Sequence, residues 1–219
     1  MHVIVTGAAG ALGRDAVAVL GEAGHTITGI DLADSISGVS LALGGVDLGD
    51  AARVEAAIGE AVDTSGPIDG LVNIAGGFAW ETIADGSPDT WDRMYGINVR
   101  SALNTCRAAL EHLANPASIV NVGAGAAHKA GLGMGAYAAS KAGVHRMTEA
   151  LAEELKGKGT RVNAILPSII DTPANRADMP DADFDTWVTT TELARVIAFL
   201  LSSDASGITG ALIPVSGRV

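Results

Sequence analysis

Apolar residues fall along this chain in short blocks separated by longer segments of helical period. His2–Thr6, Thr26–Ile30, Asp69–Ile74, Ala117–Val122 and Arg161–Leu166 are short runs rich in Val, Ile and Leu. Continuous apolar runs of that length, bounded by turn residues, fit strands buried on both faces of a sheet. Leu41–Val46 predicts a weaker strand and Ala211–Val215 a last one. Between them, apolar positions three and four residues apart predict helices over Ala11–Ala23, from an Asp50 cap to Val62, and over Pro88–His112, Met134–Lys156 and Thr191–Leu201. Ser87 before Pro88 is a start signal, because proline suits the first helical turn and serine can cap it.

Strands alternating with helices, joined by right-handed crossovers, predict an α/β fold. Its parallel sheet of about seven strands is covered by helices on both faces. A chain of 219 residues suffices for one such domain, spanning 1–219. Ser168–Thr190 breaks the pattern with an irregular stretch too long for an ordinary connection, and is a candidate lid. A net charge of −11 argues against partners held by bulk attraction to anions, so neither nucleic acid nor an anionic membrane is expected. No apolar run reaches membrane-spanning length, and the N-terminal apolar stretch lacks a charged leader and runs straight into glycines. Cys106 is the one cysteine, without a disulfide partner and set in a helical segment as a small buried hydrophobe. The expectation is a soluble cytoplasmic protein.

Gly7, Gly10 and Gly13 stand where the first strand turns into its helix, with Ala11 and Leu12 between them. Glycine there permits a tight turn, close backbone approach to a pyrophosphate and close helix–strand packing. The helix start adds free N–H groups and the positive end of the helix dipole. Asp31 ends the second strand 18 residues after Gly13, where a carboxylate would accept hydrogen bonds from a ribose 2′-OH and repel a 2′-phosphate. That favours NADH over NADPH, with Arg14 as a mild counterweight. A strand-end aspartate that merely caps its loop is the bland alternative. Asp47-Leu48 and Asn73-Ile74-Ala75-Gly76 end the third and fourth strands, at the edge where such sheets open their ligand crevice.

Tyr137 and Lys141 lie four residues apart on a helix and so share a face. A phenol with a pKa of about 10 is a poor acid or base at neutral pH. A cation held beside it is expected to lower that value by roughly 1–3. His2, His25, His112, His128 and His145 lack metal-ligand spacing with acidic or cysteine partners, and the acidic run Asp178 to Asp185 lacks the glycine and terminal glutamate of a calcium loop. No metal is expected.

Taken in order, the glycine turn, Asp31, Asp47, Asn73-x-Ala75-Gly76, Asn98, Tyr137-x-x-x-Lys141 and Pro167 followed by Thr172 resemble the short-chain dehydrogenase/reductase family over essentially the whole chain. The resemblance implies a Rossmann sheet, a nicotinamide cofactor and a homodimer or homotetramer formed through the two long helices. It implies Tyr137 as acid/base, Lys141 on the nicotinamide ribose and on Tyr137, and Asn98 supporting a proton-relay water. Asp47 would sit near adenine, and Ile170 and Thr172 near the carboxamide.

Two positions depart from the family pattern. Gly10 replaces a glycine usually found where Ala11 stands, and Ala124 stands 13 residues before the tyrosine, where the family carries serine. Both departures resemble the serine-less dihydropteridine reductase group, as do Ala75-Gly76-Gly77-Phe78-Ala79 and Met179-Pro180-x-Ala182-Asp183-Phe184-x-x-Trp187. The expected reaction is hydride exchange between NAD(H) and a small molecule such as a quinonoid dihydropterin, with Phe78 and Trp80 stacking on it or simply packing under a loop. A ketone/alcohol oxidoreductase with a substituted carbonyl donor and a non-catalytic NAD-binding sensor are the alternatives.

Overall fold

The computed structural model of the protein describes residues 1–219. Its strands are β1 (His2–Thr6), β2 (Thr26–Ile30), β3 (Leu41–Leu43), β4 (Ile68–Asn73), β5 (Leu113–Val122), β6 (Arg161–Pro167), β7 (Ile170–Asp171), β8 (Val188–Thr189) and β9 (Leu212–Val215). Seven of them pair in parallel in the order β3-β2-β1-β4-β5-β6-β9, while β7 and β8 form a separate pair. The helices are α1 (Ala11–Glu22), α2 (Ala51–Ser65), α3 (Pro88–Tyr95), α4 (Ser101–Ala109), α5 (Gly135–Leu155), α6 (Pro173–Asp178) and α7 (Thr190–Leu201). This is the Rossmann-like doubly wound architecture that the alternation of elements predicts.

Every residue of β1 is buried, as a strand covered on both faces requires. One face of the sheet packs on Leu12, Val17 and Leu20 of α1 and Leu193, Ile197 and Leu200 of α7. The other packs on Val54 and Ile58 of α2, Cys106 of α4 and Leu151 and Leu155 of α5. Each fully buried aliphatic side chain contributes roughly 1.5–3 kcal/mol. Exposed pairs such as Arg146–Glu149 contribute about 0–1 kcal/mol, so the two apolar layers hold the fold. No helix is long and apolar enough to cross a membrane.

Asp50 caps α2 by accepting from the Ala52 and Arg53 amides, and Ser87 caps α3 by accepting from Asp89. Other expectations need correction. Pro88–His112 is not one helix: α3 stops at Tyr95, a single π turn spans Gly96–Arg100, α4 follows, and Leu110–His112 is a 3₁₀ turn. The Ser101 amide donates to Gly96 O, five residues back. Ser101 and Thr105 also return their hydroxyls to carbonyls four residues back, at 2.7 and 2.8 Å, a competition that loosens regular helix. The third strand ends at Leu43 rather than Val46, because Gly44 passes so close to Asp34 that a Cβ would lie 2.4 Å from its carbonyl oxygen. The fifth strand starts four residues early, at Leu113.

Ser168–Thr190 is ordered rather than irregular. It carries the β7–β8 pair and α6, which Thr172 caps, and Trp187 is buried against it. Its acidic residues brace this roof: Asp171 forms a two-pronged pair with Arg176, whose guanidinium lies 4.6 Å above the Phe184 ring.

Candidate active site

The sheet order reverses between β1 and β4, and such switch points open a crevice at the carboxyl ends of the strands. A cavity of about 1430 Å³ lies there, roofed by α6. At one end it is a backbone cradle. Gly7 has φ +67°, and a Cβ on it would stand 2.8 Å from Ala75 N; one on Gly13 would stand 2.0 Å from Gly7 O. Gly10 precedes α1 without a side-chain cap, so the first-turn N–H groups of Ala11, Leu12 and Gly13 remain for a ligand on the cavity wall.

Two carboxylates face this end. Asp31 Oδ2 accepts from Ala9 N–H and Oδ1 from Ala33 N–H, both at 2.9 Å. It therefore caps its loop and braces the glycine turn, yet each oxygen keeps a further lone pair toward the cavity it lines. Asp47 accepts from Gly49 N–H at 2.8 Å and lines the same wall with Leu48. Arg14, exposed, donates to Ala9 O at 2.5 Å, so it stands on the other side of the same turn. The cradle, the unpaired helix amides and the carboxylates fit a dinucleotide: amides for the pyrophosphate, acids for ribose hydroxyls.

Of the remaining expected cofactor residues, Ala75, Gly76, Pro167, Ile170 and Thr172 line the cavity. Asn73 does not. It lies beneath the crevice, donating to Asn121 Oδ1 at 2.9 Å and Cys106 Sγ at 3.3 Å, in a buried chain that continues from Asn121 to Thr148 on α5. Asn73 Oδ1 has no protein partner.

Asn98, buried in the π turn, donates to Gly77 O and Ser140 Oγ and accepts from Gly77 N–H, each at 3.0 Å. Both of its N–H bonds are spent on protein. Its side chain pins the turn after β4. A Cβ on Gly76 would lie 2.5 Å from Asn98 Oδ1 and 3.4 Å from Lys141 Nζ, so this crossing requires glycine.

The other end of the cavity holds Tyr137 and Lys141 of α5 with Phe78, Trp80 and Ala124. Phe78 meets Tyr137 edge to face, with centroids 4.9 Å apart. Lys141 is almost wholly buried and donates to Val122 O at 2.8 Å. Burial pushes its pKa down to about 8 and pushes the Tyr137 phenol up to about 12. The expectation that the ammonium would lower the phenol is thus corrected for the protein alone: burial, which disfavours the phenolate, decides. His145, one turn beyond Lys141, accepts from Ala124 N–H at 3.4 Å through Nε2, and burial holds its pKa down to about 4. His128 lies beside it, ring centroids 5.5 Å apart. No cluster of three His, Cys, Asp or Glu side chains is placed to hold a metal ion.

Leu32, Arg93, Ile97 and Ile169 also line the cavity, unforeseen from the sequence. Leu32 had a signal, an apolar residue next to the strand-end aspartate, and it is 70% exposed. Arg93, near the end of α3, and Ile97, in the π turn, had none, since the π turn is not written in the hydrophobic period.

Folding with Lys141 buried carries a cost. A fall from 10.5 to about 8 corresponds to about 3 kcal/mol below pH 8, part of it returned by the bond to Val122 O. The unfolded chain holds the proton up to about 10.5, so the cost fades between pH 8 and 10.5. Lys141→Met should therefore raise stability by about 1–2 kcal/mol at pH 7, with a gain that shrinks across that window, while abolishing turnover. Thermal melts at pH 7 and pH 10 check both signs.

The family model described as enoyl-(acyl carrier protein) reductase matches residues 7–217. A Schizosaccharomyces pombe protein described as an uncharacterized oxidoreductase is 34% identical over 98% of this chain and 89% of its own. A Brucella melitensis short-chain dehydrogenase described as a glucose/ribitol dehydrogenase superposes with a TM-score of 0.87 at 30% identity, covering 99% of this chain and 94% of its own. Carveol dehydrogenase from Mycobacterium avium, solved with NAD, shares the fold at a TM-score of 0.88 and 24% identity, over 99% of this chain and 96% of its own. The glycine cradle, the Tyr137–Lys141 pair and these likenesses agree: the chain belongs to the short-chain dehydrogenase/reductase family, as an NAD(P)-dependent oxidoreductase.

Proposed function

We propose that the protein uses NADH, in preference to NADPH, to reduce a small conjugated substrate, with Tyr137 as the proton donor. The observation that carries this is one cavity with a phosphate cradle at one end and a free phenol beside a buried amine at the other. The bound dinucleotide supplies the hydride. Tyr137, with its pKa near 12, holds its proton at neutral pH and can deliver it to the substrate atom that gains charge. Lys141, fixed by Val122 O, stands at the crossing of Gly76 and Asn98, where it can reach a ribose hydroxyl and supply positive charge as the phenol gives up its proton. Asp31 supports the NADH preference, because a 2′-phosphate would meet its carboxylate.

The missing serine shapes the choice of substrate. Ala124 offers no side-chain donor, its amide faces His145, and the Ser168 hydroxyl donates to Ser216 O at 2.8 Å. A ketone whose oxyanion needs a second donor would lose roughly 10²–10³ in rate. An electron-poor ring, of which a quinonoid dihydropterin is one example, spreads the charge internally and needs that donor less. A sensor that binds NADH without turnover would not need the retained phenol. Exposed Trp91, Tyr95 and Leu103 on α3 and α4 support a homo-oligomer formed through this side of the molecule.

Three substitutions test these assignments. Tyr137→Phe should lower kcat about 10²–10⁴-fold with NADH affinity, read by fluorescence titration, nearly unchanged; unaltered turnover would remove Tyr137 from the chemistry. Asp31→Ala should raise KM for NADH much more than KM for NADPH, and equal changes would sink the preference. Ala124→Ser should help a ketone substrate more than a quinonoid ring in steady-state assays, and the opposite order would refute the donor argument.

A further inference from the structure

The substrate end of the cavity is built around a strap of five residues, Gly77 to Glu81, tied down at both ends. Asn98 holds both backbone groups of Gly77, each at 3.0 Å. At the far end the Glu81 amide donates to Gly133 O at 2.8 Å, in the turn that precedes α5. Between the ties, Phe78 stands against the Tyr137 ring and Trp80 lies flat over Gly133. Gly133 has φ +72°, and a Cβ there would fall 2.2–2.6 Å from three atoms of the indole. The indole is seated on a position that admits glycine alone, on steric and on backbone grounds.

Both aromatics are nevertheless more than half exposed, at 57% for Phe78 and 58% for Trp80. Fixed aromatic faces turned toward open space are what a stacking wall requires, and both line the cavity. Ile97, Met134, Ile169 and Met179 add apolar lining. Arg93 and Asp178 are charged groups of the same cavity wall, but the neutral polar side chains at this end are largely committed to the protein. Ser168 spends its hydroxyl on Ser216 O, Asn175 Nδ2 donates to Ile170 O at 2.8 Å, and Ala124 has no polar side chain. Tyr137 keeps its hydroxyl for a ligand.

We propose that this slot selects a flat conjugated or aromatic ring, its face on Phe78 and Trp80 and one polar atom at Tyr137, and rejects polyhydroxylated sugars. Gly133 sets the width of the slot, which makes it a specificity-determining residue. A sugar lying on this wall would leave the hydroxyls that face the two rings without partners, each stranded one lowering affinity roughly tenfold. The proposal rests on the hydride-transfer assignment only for which ligand atom faces Tyr137; the ring preference itself is a property of binding.

A fluorescence and calorimetric titration with two non-reducible probes, 2-naphthol and ribitol, run with and without NADH, separates the two ideas. Ring selection predicts that 2-naphthol quenches tryptophan emission and binds at least 100-fold more tightly than ribitol. Trp80→Ala should weaken 2-naphthol about tenfold, Gly133→Ala should do the same, and both should leave NADH affinity within twofold. In the double variant the two losses should not add, because removing the indole makes room for the new methyl. Ribitol binding as tightly as 2-naphthol would overturn the proposal, and so would a Trp80→Ala variant with unchanged 2-naphthol affinity. Tight ring binding with no NADH oxidation by quinonoid dihydropterin, 1,4-naphthoquinone or 1-tetralone would leave the slot standing and refute the hydride-transfer assignment instead.

Discussion

Three stretches of backbone meet where the first strand ends, and no side chain fits between them. The Gly7 turn, the start of α1 at Gly13 and the exit of β4 at Ala75 approach so closely that a methyl on Gly7 or Gly13 would overlap main-chain atoms. Close packing at this point lets α1 aim its unpaired amides across the crest of the sheet, and it draws the β4 exit to the crevice edge. From there Asn98 takes hold of Gly77, and the aromatic strap begins. The nucleotide end and the substrate wall thus share one origin. A shift at the glycine contact would be felt at both.

Electrostatics gives the second layer. Most carboxylates sit on the surface, whereas two nitrogen bases, Lys141 and His145, are buried one turn apart on α5. Neither has a protein carboxylate for company. A buried amine without a counter-ion costs stability and is retained where a ligand can use its charge. The raised phenol beside it suits a group that begins the reaction protonated. Oxidation in the reverse direction would require that proton to leave, which burial opposes.

Much of this was legible in the chain. The strands buried on both faces announced themselves as unbroken runs of Val, Ile and Leu, and Asp50 and Ser87 marked helix starts that the fold keeps. The glycine spacing, Asp31 and the Tyr137–Lys141 interval located the crevice because each reflects a local rule: a turn, a strand end, one helical face. What stayed hidden depends on contacts distant in sequence. The π turn at Gly96–Arg100 leaves no trace in an amphipathic period, so the clasp that Asn98 makes on Gly77 was not legible in the sequence. Ser168–Thr190 looked irregular because its strands have two residues each, and pairing rather than composition defines them. The direction of the Tyr137 shift was misjudged for the same reason: spacing shows that a cation is near, not how much water both groups lose.

His145 carries one more consequence. Its ring must stay neutral for Nε2 to accept the Ala124 amide, and a proton there would set two donors against each other. In the unfolded chain the imidazole would take that proton near 6.5, whereas the folded site refuses it until about 4. Between those values acid favours the unfolded chain, and it does so by pulling on the loop that carries Ala124. An imidazole inside the helix that carries Tyr137 therefore adds to the acid sensitivity of the fold, beside Asp171 and Glu192, whose carboxyls are held low by Arg176 and by Thr189.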